Sequence, residues 1–253
     1  MTRLKNWVTC LTVGRPNENL PSTNGGATWK NAKKGNNSTG YDKGWSAADD
    51  VATSPYANSF YHAWTDFNIG GGAVLFNRST DNGKTFSNAK TIRSGNVGFG
   101  QGTSLETGPG GEIYVCWADH NAVVSPYKAD NIGFTRSLDG GQTFDAYTTP
   151  FAYKGIREDG FSSVFNFMRV NDFPSLACDK SGTAYNGRIY IAYPAMLNDT
   201  GKAVIYVRRS EDKGLTWKSA KQVSLPNLKQ AFFPSITVDD STGLVWLTYL
   251  AFD

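Results

Sequence analysis

An all-β fold is predicted by three observations. An eight-residue phrase, Ser-x-Asp/Asn-x-Gly-x-Thr-aromatic, occurs four times, as Ser22–Trp29, Ser79–Phe86, Ser137–Phe144 and Ser210–Trp217. Its copies are offset by 57, 58 and 73 residues (22 to 79, 79 to 137, 137 to 210), so one supersecondary unit has been repeated along the chain. Around each copy, runs of branched and aromatic residues recur, and no segment carries a convincing helical period.

Within a unit the elements follow in order. The first strand is clearest as Phe173–Asp179 and Phe233–Asp239. A second run alternates aromatic or branched residues with small ones, as in Phe60–Asp66, Ile113–Asp119, Ile189–Pro194 and Val245–Leu250. A third run, Ala73–Arg78, Asn131–Arg136 or Ala203–Arg209, ends in arginine and leads directly into the phrase. The phrase itself reads as a turn joining antiparallel strands. Glycine at its fifth position supplies a positive φ at no steric cost, and Ser and Asp or Asn at the first and third positions bind nearby backbone N–H groups. Asn24, Asp81, Asp139 and Asp212 are therefore expected to be structural, and the closing Trp29, Phe86, Phe144 and Trp217 to be apolar anchors buried beneath their turns. A fourth strand follows each turn.

Four-stranded units repeated in this way, without helices, predict the blades of a β-propeller. The expected blades are about 46–94, 95–155 and 170–224. The ends, 1–45 and 225–253, are each expected to supply part of a blade, with a third strand at Val8–Val13. Joined, they make one blade of a closed four-bladed ring, which removes unpaired edges; the alternative is a piece of a larger ring.

Composition is that of one globular domain. Of 253 residues, 40% are hydrophobic, 13% aromatic and 19% charged, which is enough apolar material for a sizeable core. A net charge of +3, with lysines scattered rather than aligned, argues against a nucleic-acid surface. No run approaches eighteen apolar residues, so no membrane span is expected, and the N-terminus carries no secretion signal. Cys10, Cys116 and Cys178 fall in strands as small buried hydrophobes, and the two separated histidines make no zinc pattern; no cofactor or metal is expected.

In a propeller the turn between the third and fourth strands lies on one face. The loops after the second strands and those between blades lie on the other, around the channel. The candidate ligand surface is thus built from 67–72, 121–131 and 197–202, with the inter-blade segments 95–102, 155–172 and 225–232. The longest, 155–172, holds Arg157, Glu158, Asp159 and Arg169 among aromatics. It reads as a sugar site in which an arginine forks a carboxylate or sulfate, or equally as a lid whose Phe161, Phe165 and Phe167 seal a blade. Asp66, Asp119 with His120, and Asp172 stand at strand ends near the same pole. They are candidates for an ion site or a general acid, although accepting N–H bonds at strand ends is the stronger reading. His62 reads as core. Arg78, Arg136 and Arg209 precede the turns and face away from this surface, leaving Arg93, Arg157 and Arg169 to reach the channel mouth.

The phrase resembles the Asp box, or BNR repeat, and the runs at 110–119 and 172–177 resemble those of secreted bacterial sialidase-like proteins. The first copy departs from the pattern by having Asn24 where Asp is usual. The resemblance implies an extracellular propeller, ordinarily of six blades, with glycan or protein as partner. Sialidase activity would need three arginines on the substrate carboxylate, a tyrosine nucleophile assisted by glutamate, and an aspartic acid. The family's Arg-Ile-Pro phrase does not occur here, so binding without a complete sialidase machinery is expected, with a glycoside hydrolase or polysaccharide lyase as the alternative.

Overall fold

The computed structural model describes residues 7–10, 18–22, 24–29, 33–34, 37–121, 127–160, 163–198 and 200–252. Among them there is no α-helix, only a single 3-10 turn at Ser163–Phe165. Three four-stranded antiparallel sheets follow one another, each built of strands consecutive in sequence. The first holds Tyr41–Ala48, Phe60–Asp66, Ala73–Ser79 and Lys90–Arg93. In the second the strands are Phe99–Thr107, Ile113–His120, Asn131–Ser137 and Thr148–Ala152, and in the third Ser175–Cys178, Ile189–Met196, Ala203–Ser210 and Lys221–Gln222. A hairpin, Gln230–Val238 with Val245–Phe252, repeats the first two positions of such a sheet. The first sheet begins at Tyr41, inside the stretch assigned from sequence to the preceding blade.

The N-terminal sheet corrects one expectation. It contains Trp7–Cys10, Glu18–Pro21 and Lys33–Lys34 in that order. Glu18–Pro21 runs directly into the Ser22 turn and so occupies the third position, not the expected Val8–Val13 segment. Trp7–Cys10 then takes the second position, which the C-terminal hairpin also supplies. Among the described residues the two ends thus supply overlapping strand positions in separate sheets, and no sheet joins them. The side chain of Cys10 and residues 11–17 lie outside the described part.

The turns are held by short-range bonds that repeat almost atom for atom. In the third copy Ser137 Oγ donates to Asp139 Oδ1 at 2.8 Å and accepts from Gly141 N at 2.8 Å. Asp139 also accepts from Thr143 N at 2.8 Å and Thr143 Oγ1 at 2.6 Å. Asp81 and Asp212 have the same partners in their own turns. Slight burial works against each of these charges, but the Thr and Ser hydroxyls and the backbone N–H groups outweigh it and hold all three carboxyls at about 2. Asn24 keeps the geometry by reversing one bond, its Nδ2 donating to Thr28 Oγ1 at 2.8 Å.

Both the fourth and fifth turn positions take positive φ, as in Asn82 (60°) with Gly83 (69°) and Lys213 (59°) with Gly214 (83°). Only the fifth was expected. Glycine there meets a second need, because a Cβ on Gly141 would sit 2.7 Å from the Phe76 ring of the preceding sheet. The closing aromatics also differ from expectation. Two pack sideways onto the preceding sheet, Phe144 on Phe76 at 4.7 Å and Trp217 on Phe134 at 5.3 Å, and stay half-buried; Phe86 meets Phe60 of its own sheet at 6.0 Å, and Trp29 is 42% exposed. Two of the arginines before turns clasp the next sheet, while Arg209 pairs with Glu211 of its own turn, Nε to Oε1 at 3.3 Å. Arg78 Nη1 donates to Gly140 O at 2.6 Å, and Arg136 Nη1 to Lys213 O at 2.8 Å.

The four first-position strands pack side by side in chain order and line one central cavity of about 370 Å³. Inter-sheet bonds fix their spacing: Leu176 N donates to Ser104 Oγ at 3.0 Å, and Ile236 N to Ser175 Oγ at 3.1 Å. Between sheets lie the largest fully buried side chains, among them Trp64, Trp117, Tyr61 and Tyr114. Burial of such rings stabilises by about 3–5 kcal/mol each, judged by truncation to alanine.

Candidate functional site

The chemistry-bearing cluster sits at the mouth of the central channel, at the pole away from the repeated turns. It is made by a bulge that recurs in the first-position strands. Register slips between Asp42 and Trp45, between Gln101 and Ser104, and between Phe232 and Ser235. Aligned on these slips and on the pairing of Ser175 with Ala192, Lys43, Gly102, Phe173 and Phe233 occupy one level around the channel. The bulge holds Lys43 at φ 40°, Gly102 at 71° and Phe233 at 54°. One residue earlier come Asp42, Gln101, Asp172 and Phe232. The strands thus share this register while their side chains vary, with lysine and glycine standing where the last two units have phenylalanine.

A mouth cavity of about 260 Å³ is lined by Asp42, Lys43, Gln101, Arg157, Arg169, Val170, Asn171 and Phe173. A polar relay crosses it. Gln101 Nε2 donates to Asp42 Oδ2 at 2.5 Å, and Arg157 Nη1 donates to Gln101 Oε1 at 2.8 Å. The Arg157 guanidinium lies 5.8 Å from the Tyr127 ring centroid, with Nε 3.9 Å from Asp159 Oδ1. Lys43 reaches between Trp45 and Phe173, its Nζ 5.4 and 5.9 Å from their ring centroids. Burial lowers the Lys43 pKa, the neighbouring Asp42 charge working against that shift. Among the described residues no carboxylate stands within ion-pair distance of this ammonium.

Arg157 and Arg169 thus line the mouth together, positioned by the short strand pair Glu158–Asp159 and Arg169–Val170. Glu158 turns to Lys128, with 3.2 Å between Oε1 and Nζ. Arg93, expected at the mouth, is buried instead. Its Nε donates to Asp119 Oδ2 at 2.8 Å, and its remaining N–H groups go to Asp119 Oδ1 and to the carbonyls of Ser94, Val97 and Gly98. Trp117 Nε1 adds a bond to Asp119 at 2.7 Å.

The other strand-end carboxylates are likewise absorbed by local structure. Asp66 accepts from Asn68 N at 3.0 Å. Asp172, fully buried, accepts from the N–H groups of Ala129 (2.7 Å), Ile156 (2.5 Å) and Arg157 (2.6 Å), and so anchors the 155–172 segment. Burial pushes its carboxyl up to about 6, with these donors restraining the rise. His120 stacks on Phe99 at 4.0 Å with Nε2 3.9 Å from Asp172. Burial lowers its pKa to about 4, so it is neutral near pH 7. Asp66, Asp119 and Asp172 therefore do not gather as an ion site. Among the described residues no group of three or more His, Cys, Asp or Glu side chains is arranged to hold a metal. His62 is core, hydrogen-bonded through Nε2 to Tyr41 Oη at 2.7 Å. Phe165 is buried against Phe232 as a seal, Phe167 is 67% exposed, and Phe161 lies outside the described residues.

Asp42, Lys43, Gln101 and Tyr127 were not singled out from sequence. Aligning the first strands of all four units would have shown Lys43 as a charged departure, but Lys43-Gly44-Trp45 shares no letters with Phe-Pro-Ser, which hides the correspondence.

No helix of the described residues is long and apolar enough to cross a membrane. No family model matches the sequence, and no curated protein is similar to it at the sequence level. Solved structures do match in fold. The α-L-arabinofuranosidase Arb93A of Fusarium graminearum superposes with a TM-score of 0.60 at 13% identity, over 96% of this chain and 70% of that one. The leech intramolecular trans-sialidase gives 0.59 at 13% identity, over 94% and 33%. A polysaccharide lyase of the ulvan lyase family PL25 gives 0.56 at 14% identity, over 97% and 61%. This chain thus spans between a third and about two thirds of the length of these proteins, and its fold is that of sialidase-like propellers and other carbohydrate-active propeller enzymes.

Proposed function

We propose that the chain is the ligand-binding part of an extracellular, sialidase-like propeller built of Asp-box blades, and that it binds glycan at the channel mouth. The observation that carries this reading is the relay Asp42–Gln101–Arg157, which joins three separate segments across an open polar cavity. Planar donors and a carboxylate facing a concave, partly aromatic surface suit sugar hydroxyls and an acidic substituent. The arabinofuranosidase, trans-sialidase and ulvan lyase named above support a carbohydrate ligand by analogy of fold. Among the described residues Asp42 is the one carboxylate lining the cavity, whereas glycoside hydrolysis ordinarily takes two. Binding is therefore the better-supported reading. Among the described residues the outer face of the C-terminal hairpin is uncovered, a surface onto which a further blade of a six-bladed ring would pack.

The test is a glycan-binding screen followed by titration of the best ligand against Arg157→Ala, with circular dichroism as the control for folding. Loss of a charge-assisted contact is expected to weaken binding about tenfold or more. Unchanged affinity in a folded variant would remove the mouth from the account.

A further inference from the structure

Beneath the mouth the channel continues as the second cavity, of about 370 Å³, and Lys43 and Phe173 line both. Its walls are the rings of Trp45, Phe173 and Phe233 with Pro174 and Pro234, and Trp45 is 44% exposed. The volume lies within the range of small-ligand sites, and ring faces between polar groups are what a pyranose packs against. Two of the serine hydroxyls at this level, on Ser104 and Ser175, accept the bonds from Leu176 N and Ile236 N that hold neighbouring sheets together. Aromatic surface and one cation are the channel's most distinctive offer to a ligand.

That cation is placed at a conformational cost. The bulge forces a left-handed backbone at this level, and the second sheet meets the demand with Gly102. The first sheet puts a lysine there, whose Cβ disfavours that conformation. Its ammonium lies between two rings and, among the described residues, has no carboxylate at ion-pair distance, while Asp42 beside it is occupied by Gln101. A cation held between aromatic walls at the junction of two cavities, with the Asp42 charge nearby but, among the described residues, no carboxylate in ion-pair contact, is arranged for an external anion.

We propose that the channel is a second subsite, below the arginine-lined mouth, and that Lys43 selects a sugar unit carrying an acidic substituent there, a carboxylate or a sulfate, with the sugar ring against Phe173. This rests on the glycan-binding reading above and adds to it the depth of the site and the residue that reads charge.

The experiment titrates the full chain with methyl β-D-glucuronide, methyl β-D-glucoside 6-sulfate and methyl β-D-glucoside, and repeats the series with Lys43→Met and Lys43→Arg. The wild type is expected to prefer an acidic probe over the neutral one by about tenfold, the scale of one partly desolvated charge pair. Lys43→Met should abolish that preference, and Lys43→Arg should restore part of it. Preference for the carboxylate or the sulfate identifies which anion the subsite takes. An acidic preference that survives Lys43→Met, or equal affinity of all three probes for the wild type, overturns the role of Lys43 and leaves mouth binding standing. Failure of all three probes to bind overturns both readings together.

Discussion

The turn pole and the mouth pole of these sheets are built on opposite rules. At the turn pole every copy repeats the same bonds between residues no more than four positions apart, and even Asn24 is fitted by reversing one donor. At the mouth the bonds join residues 59 and 56 positions apart, and the equivalent positions vary in side chain from unit to unit. The comparison teaches where to look for function in a repeat protein. A repeated position answers to the scaffold, and a departure from the repeat on an unchanged backbone answers to something else. Lys43, standing where other sheets have Gly102, Phe173 and Phe233, is the clearest such departure.

A second comparison runs along the series of sheets. Tyr61, Tyr114 and Tyr190 occupy one position in three second strands and are 0%, 0% and 8% exposed. Trp246 holds the same position in the C-terminal hairpin and is 61% exposed, with Leu250 on the same face at 55%. Where a following sheet covers the position it is core. Among the described residues the hairpin has no such cover.

The strongest way to break the first comparison is to remove a strand-end carboxylate that the scaffold has absorbed. Asp119→Ala should cost about 3–5 kcal/mol, because it leaves the buried Arg93 without its counter-charge. A loss below about 1 kcal/mol in urea unfolding would mean that the ion pair does not anchor the second sheet, and would return Asp119 to the list of site candidates. The second comparison is sharpened by a matched pair. Tyr114→Ala should lose about 3 kcal/mol, and Trp246→Ala should change stability by no more than about 0.5 kcal/mol. Similar losses at both positions would show that the hairpin face is covered in solution.

The smallest effect concerns acid. The carboxyls of Asp81, Asp139 and Asp212 are held at about 2, below their ordinary value. Their contribution is therefore complete above the unfolded-state pKa of about 3.9 and is lost as pH falls towards 2. Asp172 has the opposite sign. With its carboxyl raised to about 6, it favours the fold below about 3.9 and loses that contribution as pH rises through 6. Asp139→Asn should flatten the acid limb of a stability–pH curve between about 4 and 2, and Asp172→Asn should flatten the segment between about 4 and 6. An unchanged curve in either variant would show that the charge at that position is not coupled to folding.

The sequence by itself determined the repeat, the strand order within each sheet and the structural role of the turn aspartates, because the bonds that make the turns are local and recur as letters. It also singled out Arg157 and Arg169, which share one long insertion. Only the tertiary structure decided that Arg93 is spent on Asp119, that Phe144 and Trp217 serve the preceding sheet, and that Asp42, Lys43, Gln101 and Arg157 meet. Those outcomes depend on how sheets pack around a channel, on distances between residues far apart in sequence, and on bulges that shift which side chain faces the opening. None of these leaves a mark within the few residues over which a sequence pattern can be read.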